Sequence, residues 1–200
     1  MKQFILLLAS VLVTGFAANA QEITICQPGM HERFVALASS KAFVTEHELP
    51  RKYVHRSLQG GKMVTFKCPD GTEAKGYRLD AKTKTDNWIF VFQEWWGLND
   101  NIKRESEKLY NELGNVNVIA LDMYDGQVAE DRDTALKLVQ AFKQERGDMI
   151  VKGALDLAGR NAKVGTIGWC FGGSQSLMAS LTAGNQAVAC VIYYGMLLMT

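Results

Sequence analysis

Cys170 has the most chemically suggestive setting in this 200-residue chain. It sits in Val164-Gly165-Thr166-Ile167-Gly168-Trp169-Cys170-Phe171-Gly172-Gly173, where an apolar strand runs into G-x-C-x-G and straight into a helix of small residues. That is the context of a nucleophile elbow. A side chain displayed on so tight a turn needs neighbours two residues away on either side that carry no side chain to collide, and Gly168 and Gly172 meet that need. The turn also points Cys170 at the start of a helix, where backbone N–H groups and the helix dipole favour thiolate over thiol. The chemistry implied is covalent attack on an electrophilic carbonyl. A dinucleotide-binding loop is the competing glycine-rich turn between strand and helix. It needs G-x-G-x-x-G, and Cys170 stands where the second glycine would be. The plainer alternative on the elbow alone is a buried cysteine in a tight turn with no chemistry.

An elbow has to be carried by a sheet. Residues Met63–Phe66, the turn Pro69-Asp70-Gly71 and Glu73–Asp80 have the pattern of a β-hairpin. Beyond it strands and helices alternate. Strands are expected over Trp88–Phe92, Val116–Leu121, Val164–Ile167 and Val188–Tyr194. Helices are expected over Asn99–Leu113, Asp131–Glu145, Ile150–Leu157 and Gly172–Leu181. This predicts an α/β fold: a mostly parallel sheet covered by helices on both faces, starting with an antiparallel hairpin. The domain spans 61–200, preceded by a polar extension over 21–60 in which His31–Val44 has helical spacing. Residues 1–20 read as a signal peptide: Lys2, the apolar run Phe4–Val13, then Ala18-Asn19-Ala20. The run is too short to span a bilayer, so the mature protein is expected to be exported, periplasmic or secreted, with no membrane attachment.

Lys2 is the only charge in residues 1–20, so of 22 basic and 21 acidic side chains, 21 of each remain beyond Ala20. That balance offers nothing to a nucleic acid or an anionic membrane. None of the four cysteines is spaced C-x-x-C, and no metal cluster or dinucleotide loop is present, so no cofactor is expected. Cys26 and Cys68 could form a disulfide in an oxidising compartment or remain unpaired; the sequence leaves both open.

Three further segments make the pattern specific. Phe92-Gln93-Glu94-Trp95-Trp96-Gly97-Leu98-Asn99 resembles the Q-E-x-x-G-x-N segment of dienelactone hydrolases, members of the α/β-hydrolase superfamily. Asp122-Met123-Tyr124 is similar to that family's P-D-L-Y with Leu121 in place of proline, and Ala135–Leu138, the elbow and Tyr193-Tyr194-Gly195 follow in the same order. The resemblance covers about residues 62–196 and implies a hydrolase of small carboxylic esters or lactones. By position it implies that Cys170 is the nucleophile and that the backbone N–H groups of Trp95 and Phe171 form the oxyanion hole. Glu94 then tunes the thiol's ionisation, against the alternative of a solvated strand-end charge. Arg132 binds a substrate carboxylate, against the alternative of a solvated arginine at a helix start. Trp88, Trp95, Trp96 and Trp169 either line the pocket or belong to the core.

After Cys170 come thirty residues with no Asp, Glu or His, whereas such a triad runs nucleophile, acid, histidine. His31, His47 and His55 precede the hairpin and are expected on the surface of the extension. The expectation is therefore a C-terminally truncated hydrolase that can acylate Cys170 but is crippled in turnover, with Val188–Tyr194 near an uncovered apolar edge. The alternative is a non-catalytic exported protein that binds a small molecule in the same pocket. A redox role is a third reading, with Cys190 as a distant resolving candidate. Substrate identity and oligomeric state are not specified.

Overall fold

The computed structural model describes residues 36–48 and 51–195; the expected signal peptide, Cys26, His31, Phe34 and the last five residues lie outside this range. Helical residues 36–38 are followed by the short helix α1 (Lys41–Glu46), then the antiparallel strands β1 (Lys62–Lys67) and β2 (Glu73–Leu79), which form the expected hairpin. The rest alternates: β3 (Asn87–Phe92), α2 (Asp100–Leu113), β4 (Asn117–Leu121), α3 (Arg132–Ala141), α4 (Gln144–Ala158), β5 (Lys163–Trp169), α5 (Phe171–Ala183) and β6 (Ala187–Tyr193). The sheet order is β1-β2-β4-β3-β5-β6, with β4, β3, β5 and β6 parallel. β4 lies on one side of β3 and β5 on the other, so the connections diverge at β3 and leave a crevice at its C-terminal end, where such sheets bind ligands.

β3 and β4 are buried on both faces, as their unbroken apolar runs require. One face packs Phe90, Phe92, Ile119 and Leu121 against Leu138, Ile150 and Ala179 of α3, α4 and α5. The other packs Val91, Val118 and Ala120 against Ile102 and Tyr110 of α2. The Asn99 side chain starts α2 by accepting from the Asn101 and Ile102 N–H groups, each at 3.1 Å, and Asp131 starts α3 by accepting from Thr134 N–H at 2.8 Å.

Two expectations need correction. The single helix expected over Asp131–Glu145 is two helices, because Phe142 turns extended (φ −60°, ψ 136°) and sends its ring edge-on to Phe171, 4.9 Å between centroids. A new helix starts at Gln144 and absorbs the one expected over Ile150–Leu157. The helical spacing of His31–Val44 is also interrupted. Ser39 and Ser40 break it, and the Ser40 hydroxyl caps α1 by accepting from Phe43 N–H at 3.2 Å.

The expectation that His55 lies on the surface of the extension also needs correction. The His55 N–H donates to Asp100 at 3.0 Å, and the His55 Nε2 lies 2.8 Å from the Tyr77 hydroxyl, which donates to Glu107 at 2.8 Å. Ser57 donates to the same carboxylate. His55 is therefore a buried member of a polar clasp joining the extension to β2 and α2, not a surface residue. Among the described residues no helix is long and apolar enough to cross a membrane, and no group of three or more His, Cys, Asp or Glu is placed to hold a metal.

Candidate active site

β3 and β5 are hydrogen-bonded neighbours with Phe92 opposite Gly168. Two residues further along each strand come Glu94 and Cys170, so the sheet register alone brings the Q-E segment and the elbow together. Cys170 has φ +55° and ψ −119°, a left-handed backbone that a non-glycine residue adopts only under constraint. The constraint is visible. Cys170 N–H donates to Tyr193 O at 2.9 Å, and Gly173 N–H donates back to Cys170 O at 2.9 Å. A Cβ on Gly168 would fall on the carbonyl of Gly172, and one on Gly172 would fall on the carbonyls of Gln93 and Phe92. The two elbow glycines are thus required by close backbone approach, as the spacing predicts.

Cys170 is 1% exposed. Burial, and after it the negative charge of Glu94, push its thiol up to about 12, against a smaller opposite pull from the Phe171 N–H. This corrects the expectation that the helix start favours thiolate: one N–H dipole cannot offset desolvation together with a neighbouring carboxylate. Glu94 is half-buried and accepts a 2.7 Å hydrogen bond from the Tyr194 hydroxyl, which arrives from the end of β6. Burial and that bond raise the tyrosine's pKa, so it stays a donor. The next residue after Glu94 is Trp95, and the next after Cys170 is Phe171, so both proposed oxyanion donors sit on the adjoining strand ends. Gln93 is fully buried and accepts from Met123 N–H at 3.4 Å, tying the end of β3 to that of β4.

A cavity of about 260 Å³ opens beside Glu94, bounded by Trp96, Trp169, Tyr194 and His47. His47 comes from the end of α1, stacked on Phe43 at 3.8 Å and edge-on to Tyr194 at 5.4 Å, while Phe43 meets Trp95 edge-on at 5.4 Å. It too is therefore not a surface residue but part of the wall. Its meeting with Tyr194 could not be read from the sequence, since it depends on how the extension folds back. Trp95 and Trp96 are each 1% exposed, and Trp88 is buried on Phe90 under Arg78, away from the cavity. Arg132 is exposed at the first residue of α3 and does not line the cavity.

Residues 75–200 match the model of the dienelactone hydrolase family. The chain belongs to that family. Among its relatives, a protein of Aquifex aeolicus (strain VF5) provisionally named carboxymethylenebutenolidase is 31% identical over 151 residues. Protein usf of Aquifex pyrophilus is 31% identical over 147 residues. Each match covers 68% of this chain and 62% of the relative, so the chain spans less than two thirds of the length of these proteins. A promiscuous dienelactone hydrolase-like phosphotriesterase from metagenomic libraries superposes with a TM-score of 0.55 at 26% identity, covering 69% of this chain and 61% of that one.

Within this dienelactone hydrolase fold Cys190 cannot serve as a resolving thiol. It pairs with Thr166, four residues before Cys170 on the neighbouring strand, which is roughly 13 Å along the sheet. Of the residues singled out in the sequence, the structure gathers Cys170, Glu94, Trp95, Phe171, Gly168 and Gly172; Arg132 opens α3, outside the lining of the cavity beside Glu94. Gln93 and Tyr194 stood in the sequence motifs without a role, and His47 was expected on the surface; tertiary contacts place all three at the site.

Proposed function

We propose that this chain forms an acyl-enzyme with small carboxylic esters or lactones, using Cys170 as nucleophile. The carrying observation is a strained, glycine-flanked cysteine held beside a carboxylate in a fold whose family hydrolyses such bonds. The Cys170 proton passes to Glu94 as sulfur attacks the carbonyl carbon, and the developing oxyanion takes the N–H groups of Trp95 and Phe171. The tetrahedral adduct then collapses, the carbon–oxygen bond to the alcohol breaks, and the alcohol leaves with the proton from Glu94. Water completes the cycle by releasing the acid and returning the thiol. We assign that last step to the whole protein, of which the relatives are the full-length counterparts. The composition of residues 1–20 supports reading them as an export signal, and hence a periplasmic or secreted setting.

The test is p-nitrophenyl acetate with the intact chain. We expect nitrophenolate release that begins with a burst and an acetyl adduct on the Cys170 peptide, both absent in Cys170→Ala. A burst that survives the substitution refutes the assignment. Reversible binding of an ester with no adduct would favour the non-catalytic binding protein.

A further inference from the structure

The segment that carries Glu94 and Trp95 needs more holding than the sheet gives it. The ladder between β3 and β5 ends at Phe92 and Gly168, so residues 93–99 run on as loop and turn. A proton acceptor and an oxyanion donor on such a segment work only where their positions are fixed, because a displacement of about 1 Å at a reacting group can cost roughly a hundredfold in rate.

Side chains at α1 supply part of that fixing. Phe43 is 6% exposed and meets the Trp95 ring edge-on at 5.4 Å. His47, one turn further on, is tied to Phe43 by backbone and ring together. Its N–H donates to the Phe43 carbonyl at 2.9 Å, its Nδ1 lies 2.8 Å from the same oxygen, and the two rings stack at 3.8 Å. His47 in turn meets Tyr194 at 5.4 Å with the ring planes 72° apart, and the Tyr194 hydroxyl donates to Glu94 at 2.7 Å. Tyr194 has φ +39°, a left-handed backbone that a bulky residue keeps only where its surroundings over-determine it, and His47 and Glu94 are among those surroundings. The end of α1 therefore supports Trp95 directly and Glu94 through Tyr194. Residues 41–47 lie outside the 75–200 segment that matches the family model, so this support comes from the extension.

We infer that α1 is a positioning element for acylation: Phe43 fixes the loop at Trp95, and His47 fixes Tyr194 and through it the Glu94 carboxylate. The inference rests on Cys170 being acylated, with Glu94 taking its proton and Trp95 giving an N–H to the oxyanion. Phe43 and His47 act through these neighbours, not on the ester.

The test is the burst of nitrophenolate from p-nitrophenyl acetate with the intact chain, followed to saturating ester. The rate constant of the burst reports the molecules that are folded, and its amplitude reports how many there are, so loss of positioning and loss of fold are read separately. We expect His47→Ala to lower the limiting rate constant about fivefold with the half-saturating ester concentration little changed, because proton transfer and oxyanion contacts are made in the transition state. His47→Phe keeps a ring to stack on Phe43 and meet Tyr194, and should recover to within about twofold of the unsubstituted chain. Tyr194→Phe deletes the hydroxyl that holds Glu94 and should slow the burst by itself. Adding His47→Ala to it should then cost less than His47→Ala costs alone, since both act on one carboxylate. A limiting rate constant unchanged in His47→Ala, or as low in His47→Phe as in His47→Ala, overturns the inference and leaves the nucleophile assignment intact. Where His47→Ala gives no burst amplitude, Phe43→Leu decides on the same rate constant: a fall of about fivefold is expected, and an unchanged value overturns the inference. An unsubstituted chain with neither burst nor Cys170 adduct overturns the nucleophile assignment and the inference with it.

Discussion

Cys170 rests as a thiol because burial and the Glu94 carboxylate both oppose its ionisation, holding its pKa at about 12. The free protein is then a poor nucleophile at neutral pH, and thiol alkylation should rise about tenfold per pH unit through the alkaline range as the thiolate fraction grows. Glu94→Gln removes a negative charge from beside the sulfur. The sign is unambiguous: the thiolate is repelled less, the thiol's pKa falls, and iodoacetamide labelling of the Cys170 peptide at a given pH should become several-fold faster. A rate that is unchanged or slower would show that Glu94 does not act on the sulfur. At this scale the sequence was most informative about sterics. Gly168 and Gly172 could be assigned because a backbone that passes another backbone so closely leaves room for no other residue. The protonation state of Cys170 could not, since it depends on solvent exclusion and on a carboxylate 76 residues away in the chain, and the helix-start argument taken alone gives the wrong direction.

The elements were legible where a pattern is local and hidden where a tertiary contact decides. The hairpin, the doubly buried strands and the capped helix α2 follow from turn chemistry, apolar runs and Asn99. The break between α3 and α4 does not, because Phe142 leaves helical geometry to reach Phe171 on another element. The extension is the larger surprise. Its histidines were expected on its surface, yet Glu107 of α2 collects Ser57, Tyr77 and the Leu58 N–H around one carboxylate, with His55 alongside. Burial by itself would raise the pKa of Glu107, but these hydrogen bonds and the nearby imidazole outweigh it and the net shift is downward. The linked stability is therefore present above the ordinary carboxyl range and is lost as pH falls through the lowered value. Glu107→Ala should cost about 1–3 kcal/mol at neutral pH, since it strands the Ser57 and Tyr77 donors. Hydrogen exchange should show residues 51–60 opening first. Glu107→Gln should also flatten the acid limb of the stability profile, and a profile of unchanged slope would rule this clasp out as its source.

On the scale of the whole molecule, the sheet order explains why the site is where it is. β3 is the first parallel strand laid down, its neighbours β4 and β5 are added on opposite sides, and the residues that leave the ends of β3 and β5 converge in the resulting crevice. The alternation of strands and helices in the sequence implied such a sheet, but not the order of its strands, because order is set by which faces the crossing helices cover. The same order puts β6 at the edge of the described sheet, with Val188 63% and Tyr193 48% exposed and Val191 also open to solvent. An edge strand with free N–H and C=O groups and an apolar surface is a template for pairing with a second strand, and this one lacks the charges that commonly protect such edges. Expressed by itself, the 200-residue polypeptide should therefore associate through β6 as its concentration rises, seen as a growing mean mass in sedimentation or light scattering. Val188→Lys places a charge at an exposed position, so it should suppress association while changing stability by no more than about 0.5 kcal/mol. Association that persists undiminished in the variant would place the contact elsewhere. A wild-type chain that stays monomeric at every concentration would mean that the β6 edge is not sticky despite its exposure.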